Sequence, residues 1–244
     1  MKRVFADLHL RVNGKDSTQT AKLTCKAAEL GYKLVATQLA PETRPEEIRQ
    51  IKTACAELGL DFVSRVDLRP RSPDELLGLL RKLRRRFEVI CVLCETKEVS
   101  RQAAKDRRVD LLNFPLLDYR RRFFDRAEAE LASGGNAEFE VDVKPLLVLE
   151  GPARVRFLSS LRREVAVALE FHLPLVVSSG VSEALFLRKP RELALLASLF
   201  GLEGTAALDA VSVCPVGLVE RNREKLGTGF VAPGIRVIKQ GEDC

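Results

Sequence analysis

Short apolar runs alternate with amphipathic stretches along the whole chain. Runs at 3–9, 33–38, 60–67, 87–93, 109–113, 138–144, 174–179 and 210–214 have the length and β-branched content of strands. Between them a 3.6-residue apolar period predicts helices over 17–31, 43–58, 72–86, 97–106, 119–133, 153–172, 182–200 and 216–226. Ser17, Thr43 ahead of Pro45, and Ser72-Pro73 read as helix starts, while Gly31 and Gly59 fall just past a helix and just before a strand, where a left-handed cap belongs.

Strand–helix units that repeat without a break in composition predict one α/β domain over 1–226, closed as a parallel TIM-like (β/α) barrel. The 244 residues suit that fold, which typically takes roughly 250. An open doubly wound sheet is the alternative, because periodicity does not distinguish closure from opening. From Gly227 the chain reads GTGFVAPGIRVIKQGEDC, without helical period, so 227–244 is expected to be extended or partly disordered. Its Gly-Thr-Gly follows a helix and so is no dinucleotide fingerprint.

Alternation within the strands sorts the side chains. Phe5, Asp7, His9 and Arg11 share one face of the first strand; Val63, Arg65, Asp67 and Arg69 one face of the third; Glu138, Glu140, Asp142 and Lys144 one face of the sixth. The opposite faces, Val4-Ala6-Leu8, Phe62-Ser64-Val66-Leu68 and Phe139-Val141-Val143, are the ones expected to meet the outer helices. The charged faces then point into the barrel, where ions must be paired or metal-bound. Asp7, His9, Asp67, Glu140 and Asp142 could hold a hard cation such as magnesium. Alternatively Arg65, Lys144 and Arg11 supply the positive charge and the interior is a salt-bridge network. The second reading is favoured, since the cations share strand faces with the acids.

The opening Asp7-Leu8-His9-Leu10-Arg11 has arginine where a metal-hydrolase barrel would carry a second histidine. With only two histidines in the chain, His9 and His172, a multinuclear imidazole site is excluded.

Composition adds a compartment. Six cysteines lie mostly within apolar helix or strand patterns, which argues for reduced thiols. Cys91-Val92-Leu93-Cys94 sits in a strand, where positions three apart face opposite ways, so burial is favoured over a zinc or redox pair. No apolar run approaches the roughly 18 residues of a membrane span and no export signal is visible, so a cytoplasmic protein is expected.

The net charge is +6 and the basic residues come in blocks: Arg81-Lys82 with Arg84-Arg85-Arg86; Arg101, Lys105 and Arg107-Arg108; Arg120-Arg121-Arg122; Arg162-Arg163; Arg188-Lys189. Singly each is a solvated helix face, but together they favour a nucleic-acid or acidic partner. Two tyrosines and no tryptophan leave no evident base-stacking platform, which points to backbone and shape reading of folded RNA. Val176-Val177-Ser178-Ser179-Gly180 offers either a phosphate-cradling loop or a plain turn with Ser182 as helix cap.

The order of Asp7-Leu8-His9, Arg65-Val66-Asp67, Leu111-Leu112-Asn113-Phe114, Phe123-Phe124-Asp125-Arg126-Ala127-Glu128 and Val176-Val177-Ser178-Ser179-Gly180 resembles archaeal ribonuclease P protein component 3, the family of the 30-kDa subunit of eukaryotic nuclear ribonuclease P. The resemblance runs over roughly 1–238. It implies a barrel like that of the polymerase-and-histidinol-phosphatase (PHP) metal hydrolases, serving as a non-cutting subunit of a ribonucleoprotein. The RNA, with magnesium, would remove the 5′ leader of precursor tRNA. The implied partners are ribonuclease P RNA and a small ferredoxin-like protein subunit, paired into a heterotetramer.

On that reading Arg65, Arg69, Arg107, Arg108 and Lys144 are the candidate RNA contacts, being placed by position near the barrel mouth. The blocks at 81–86 and 120–122 face elsewhere and are the competing footprint. The alternative function is a metal-dependent phosphoesterase using Asp7, His9, Asp67, Glu140 and Asp142.

Overall fold

A computed structural model describes residues 3–12, 17–115, 123–227, 229–232 and 235–236. Seven parallel strands follow one another around a barrel: β1 (Ala6–Leu10), β2 (Leu34–Leu39), β3 (Asp61–Leu68), β4 (Val89–Leu93), β5 (Leu111–Asn113), β6 (Glu138–Asp142) and β7 (Leu175–Ser178). Helices α1 (Ser17–Leu30), α2 (Pro45–Glu57), α3 (Pro73–Leu83), α4 (Lys97–Lys105) and α5 (Arg126–Ser133) connect the first six strands. Their starts are built from the expected chemistry: Ser72, Thr96 and Asp125 each accept the backbone N–H three residues on. Gly31 and Gly59 take positive φ, +94° and +69°, as helix-ending residues.

The expected eighth strand at 210–214 does not form. Its place is taken by two carbonyls: Ala210 accepts the amide of Val177, and Val211 accepts that of Ala6, each at 2.9 Å. The chain then turns into a helix at Val213. The reason lies in Pro215, which has no N–H for a sheet ladder but fits the first turn of a helix. At the opposite end of the same seam Gly180 N–H donates to His9 O (3.0 Å) and Arg11 N–H to Val181 O (2.9 Å). The barrel therefore closes, with seven strands and a strap.

Other elements depart from the pattern. Lys144, expected at the end of a strand, begins the short helix α6 (Lys144–Val148), and α7 (Gly151–Glu170) follows. The helix expected over 182–200 is broken into a 3-10 turn at Ala184–Phe186, α8 (Pro190–Ala197) and a second 3-10 turn, because Pro190 must start a helix and not continue one. Helix α9 (Gly204–Asp209) precedes the strap, and α10 (Val213–Leu226) follows it. In the tail, β8 (Phe230–Ala232) and β9 (Ile235–Arg236) pair antiparallel. Residues 119–122 of the expected fifth helix lie outside the described residues.

Two apolar layers result. The larger lies between strands and helices and contains Phe62, Val66, Val92, Phe139 and Val177. The smaller fills the N-terminal half of the barrel with Ala6, Leu8, Leu34, Ala36, Val63, Cys91, Leu111 and Val176, and Leu218 and Val219 of α10 belong to it. Helix α10 crosses the N-terminal end of the barrel: Asn222 and Arg223 bind Glu88, Arg223 also binds Asp61, and Arg221 binds Glu138. Cys91 belongs to the inner layer and Cys94 to the outer, so the CxxC pair faces opposite ways as expected. Cys25, Cys55, Cys91, Cys94 and Cys214 are all free.

Candidate functional site in the charged half of the barrel

Above the apolar floor the interior becomes ionic. Strand alternation carries Arg65 and Asp67 inward from β3, and Glu140 and Asp142 from β6, as the sequence predicts. Arg65 has no exposed surface. Its Nη1 and Nη2 donate to Glu140 Oε1 and Oε2 at 2.6 Å each, its Nε donates to Asp67 Oδ1 at 2.6 Å, and Nη1 also reaches Leu8 O at 2.7 Å. Glu140 is held further by Ser178 Oγ (2.8 Å) and Asn113 Nδ2 (2.9 Å), the latter also donating to Asp142 Oδ2 (3.2 Å). Asn113 is a member of this cluster that alternation alone did not single out; its signal was a polar residue closing an apolar strand.

Strand β1 corrects the predicted facing. Ala6 and Leu8, expected outside, belong to the inner layer. Three steps from Asp7 to Leu10 on β1 match two from Val35 to Thr37 on β2, so β1 carries one extra residue. This bulge resets the alternation and turns His9 inward. Asp7 is consequently not part of the inner cluster. Its Oδ1 accepts the amides of His9 and Ser179, both at 3.1 Å, while Oδ2 has no partner among the described residues. Burial pushes its carboxyl above the usual range, against the hydrogen bonds from Ser179 and His9.

His9 becomes the centre of the mouth. Its Nδ1 is 2.7 Å from Asp142 Oδ1 and its Nε2 3.2 Å from Asp67 Oδ2. Burial and the charge of Arg65 push the imidazole down, but Asp142 and Asp67 outweigh them and raise its pKa to about 9. At neutral pH it is therefore an imidazolium donating through both nitrogens, and Arg11 Nε, 3.3 Å from Nε2, is a like-charged neighbour and not a donor to it. Burial raises Asp142 and Asp67, yet both end below the ordinary carboxylate range. His9, Arg11 and Arg65 prevail at the first, Arg65 and His9 at the second.

Arg65, His9 and Arg11 thus face Asp67, Glu140 and Asp142. Nitrogen and oxygen atoms of His9, Glu140 and Asp142 lie within 4.8 Å of one another, the spacing of a metal set. Their lone pairs are nonetheless committed. A divalent ion would have to displace the guanidinium from Glu140 and the proton from His9, so the donor set does not fit a hard cation.

Over this layer opens a cavity of about 240 Å³, lined by Arg11, Arg69, Lys144, Asp142 and the apolar Phe114 and Phe157. Of the five arginine and lysine candidates, only Arg69 and Lys144 lie here. Arg69 pairs with Glu95 (2.9 Å) and Lys144 Nζ donates to Ser182 Oγ (2.9 Å). Arg65 is removed from any contact surface by its burial. Arg107 and Arg108 follow α4 and precede β5, which puts them at the opposite, N-terminal end, with Arg108 bound to Asp106 (2.7 Å). The loop after β7 is no phosphate cradle: the amides of Ser179 and Gly180 go to Asp7 and His9 O, and Ser182 begins no helix. Gly180, at φ +64°, is required by proximity too, since a Cβ there would stand 2.7 Å from Asp142 Cγ.

The fold and site define a seven-stranded (β/α) barrel in which protein cations occupy the carboxylate cluster. The family described as RNase P subunit p30 matches residues 4–226, and the chain belongs to it. A ribonuclease P protein component 3 from Methanosarcina barkeri is 32% identical over 91% of this chain and 90% of its own. One from Halorubrum lacusprofundi is 27% identical over 98% and 100%. Among solved structures, a chain of an archaeal ribonuclease P with mature tRNA superposes with a TM-score of 0.84, at 21% identity over 98% of this chain and 100% of its own. A putative prolidase from Bifidobacterium longum gives 0.58 at 14% identity, over 91% and 70%, and shares the fold. No helix among the described residues is long and apolar enough to cross a membrane.

Proposed function

We propose that this subunit supports ribonuclease P RNA without cutting RNA itself. The observation that carries the reading is Arg65, whose guanidinium binds both oxygens of Glu140 and one of Asp67 where a hydrolase would bring carboxylates to a metal. Removal of the 5′ leader from precursor tRNA then belongs to the RNA and its magnesium. The protein assembles with that RNA and with a small ferredoxin-like subunit as a heterotetramer, in the cytoplasm, and meets precursor tRNA through the complex. The archaeal ribonuclease P chain of the same fold supports this reading.

The test is leader removal in magnesium by the chain alone and by the chain with ribonuclease P RNA and the small subunit. Activity confined to the assembled mixture, at a magnesium level where RNA alone is poor, is the expected result. Cleavage by the chain alone, lost on His9→Gln, would instead establish the phosphoesterase.

A further inference from the structure

We infer that the N-terminal end of the barrel, opposite the mouth, is the face that grips the RNA sugar–phosphate backbone; this rests on the subunit reading above. Arg81 and Lys82 stand in the last turn of α3, Arg85 lies in the connector to β4, Lys105 ends α4, and Arg107 lies in the connector to β5. The two connectors are adjacent: Arg84 reaches from the first to Arg108 O (3.1 Å) and to Asp110 in the second.

The carboxylates within these two connectors are already taken. Asp110 is bound by Arg84, Asp106 by Arg108, and Glu88 by Arg223. Arg81, Lys82, Arg85, Lys105 and Arg107 are left exposed, and none has a carboxylate partner among the described residues. The mouth differs, because Arg11 and Arg69 are each held by an acid and Lys144 by a serine. On the outer face of α2, Arg44 and Arg49 are matched to Glu47 and Glu46.

Helix dipoles favour cations in a last turn, which accounts for Arg81, Lys82 and Lys105 but not for Arg85 and Arg107 beyond the helix ends. Unmatched like charges repel one another, and a chain of phosphates relieves that repulsion, with arginine able to hold phosphate bidentately. Phe87, the aromatic residue of these two connectors, is buried, so beside these cations bases have no ring to stack on and the contact is to backbone.

The test compares two full-length variants with the parent for binding to ribonuclease P RNA across a potassium chloride series. One carries Arg81→Gln, Arg85→Gln and Arg107→Gln; the other carries Arg69→Gln and Lys144→Gln. Each neutralised phosphate contributes about 0.9 to the log–log salt slope. The first variant should lose about three in slope and bind at least roughly tenfold more weakly at moderate salt, with a melting curve like the parent's, while the second stays near the parent. The inference is overturned if the mouth variant takes the loss, or if the first variant keeps RNA binding and loses only a protein subunit. A parent with no more RNA affinity than an unrelated basic protein overturns the subunit reading itself.

Discussion

Arg65 and Glu140 form a two-point ion pair with no exposed surface on the arginine, both bonds at 2.6 Å. Replacing Arg65 by methionine leaves Glu140 and Asp67 without their main counter-charge in a buried site. A loss of about 3–5 kcal/mol in unfolding free energy is expected, read as a lower urea midpoint. Arg65→Lys keeps the charge but not the fork and should fall between the two.

Removing the Arg65 guanidinium also frees the oxygens that a cation needs. The parent's melting temperature should not respond to millimolar manganese or zinc. Arg65→Ala, with His9, Glu140 and Asp142 within ligand spacing, should be stabilised by the ion in a concentration-dependent way. A parent that binds the ion tightly would count against the commitment of those lone pairs.

His9 makes stability fall toward alkaline pH. Its folded pKa of about 9 lies above the ordinary 6.5, so the stabilisation is complete below 6.5 and is lost as pH rises through 9. A shift of this size corresponds to a contribution of order 3 kcal/mol. The difference between the parent and His9→Gln, followed by denaturant unfolding from pH 6 to 10, should shrink across that window. Glu138, raised from 4.5 to about 7 by burial despite Arg221, acts at lower pH. It favours the folded state below 4.5 and loses that effect as pH climbs through 7, but both proteins carry it, so it cancels in their difference.

Gly180→Ala should disturb both backbone and site. A positive φ in a non-glycine residue costs about 1–3 kcal/mol, and the new methyl meets Asp142. The melting temperature should drop, and the imidazole of His9, followed by NMR titration, should lose part of its elevated pKa as Asp142 is pushed aside.

Much of this was legible in the chain. The glycines ending α1 and α2, the serine and proline opening α3, and the two-residue alternation of Arg65-Asp67 and Glu140-Asp142 follow from local rules of backbone and side-chain direction. What was not legible depends on partners distant in sequence. A bulge in β1 appears only against the register of β2, and it reversed the facing of Ala6, Asp7 and Leu8 while leaving His9 inside. Residues 210–211 read as a strand because they are apolar, yet they are apolar in order to pack between two sheet edges. Arg107 and Arg108 were placed at the mouth although helix–strand order puts them at the other end; the order of elements was a better guide than the charge.

The strap at Ala210 and Val211 also sets the order in which this molecule can be finished. On the ribosome all seven strands emerge before it, and the contacts of His9 and Arg11 with Gly180 and Val181 can already zip the mouth end of the seam. The other end has nothing to zip to, because the amides of Ala6 and Val177 wait for carbonyls not yet made. A chain stopped just short of residue 210 would hold every strand of its barrel and still present two bare sheet edges, the kind of surface that pairs with a neighbouring chain.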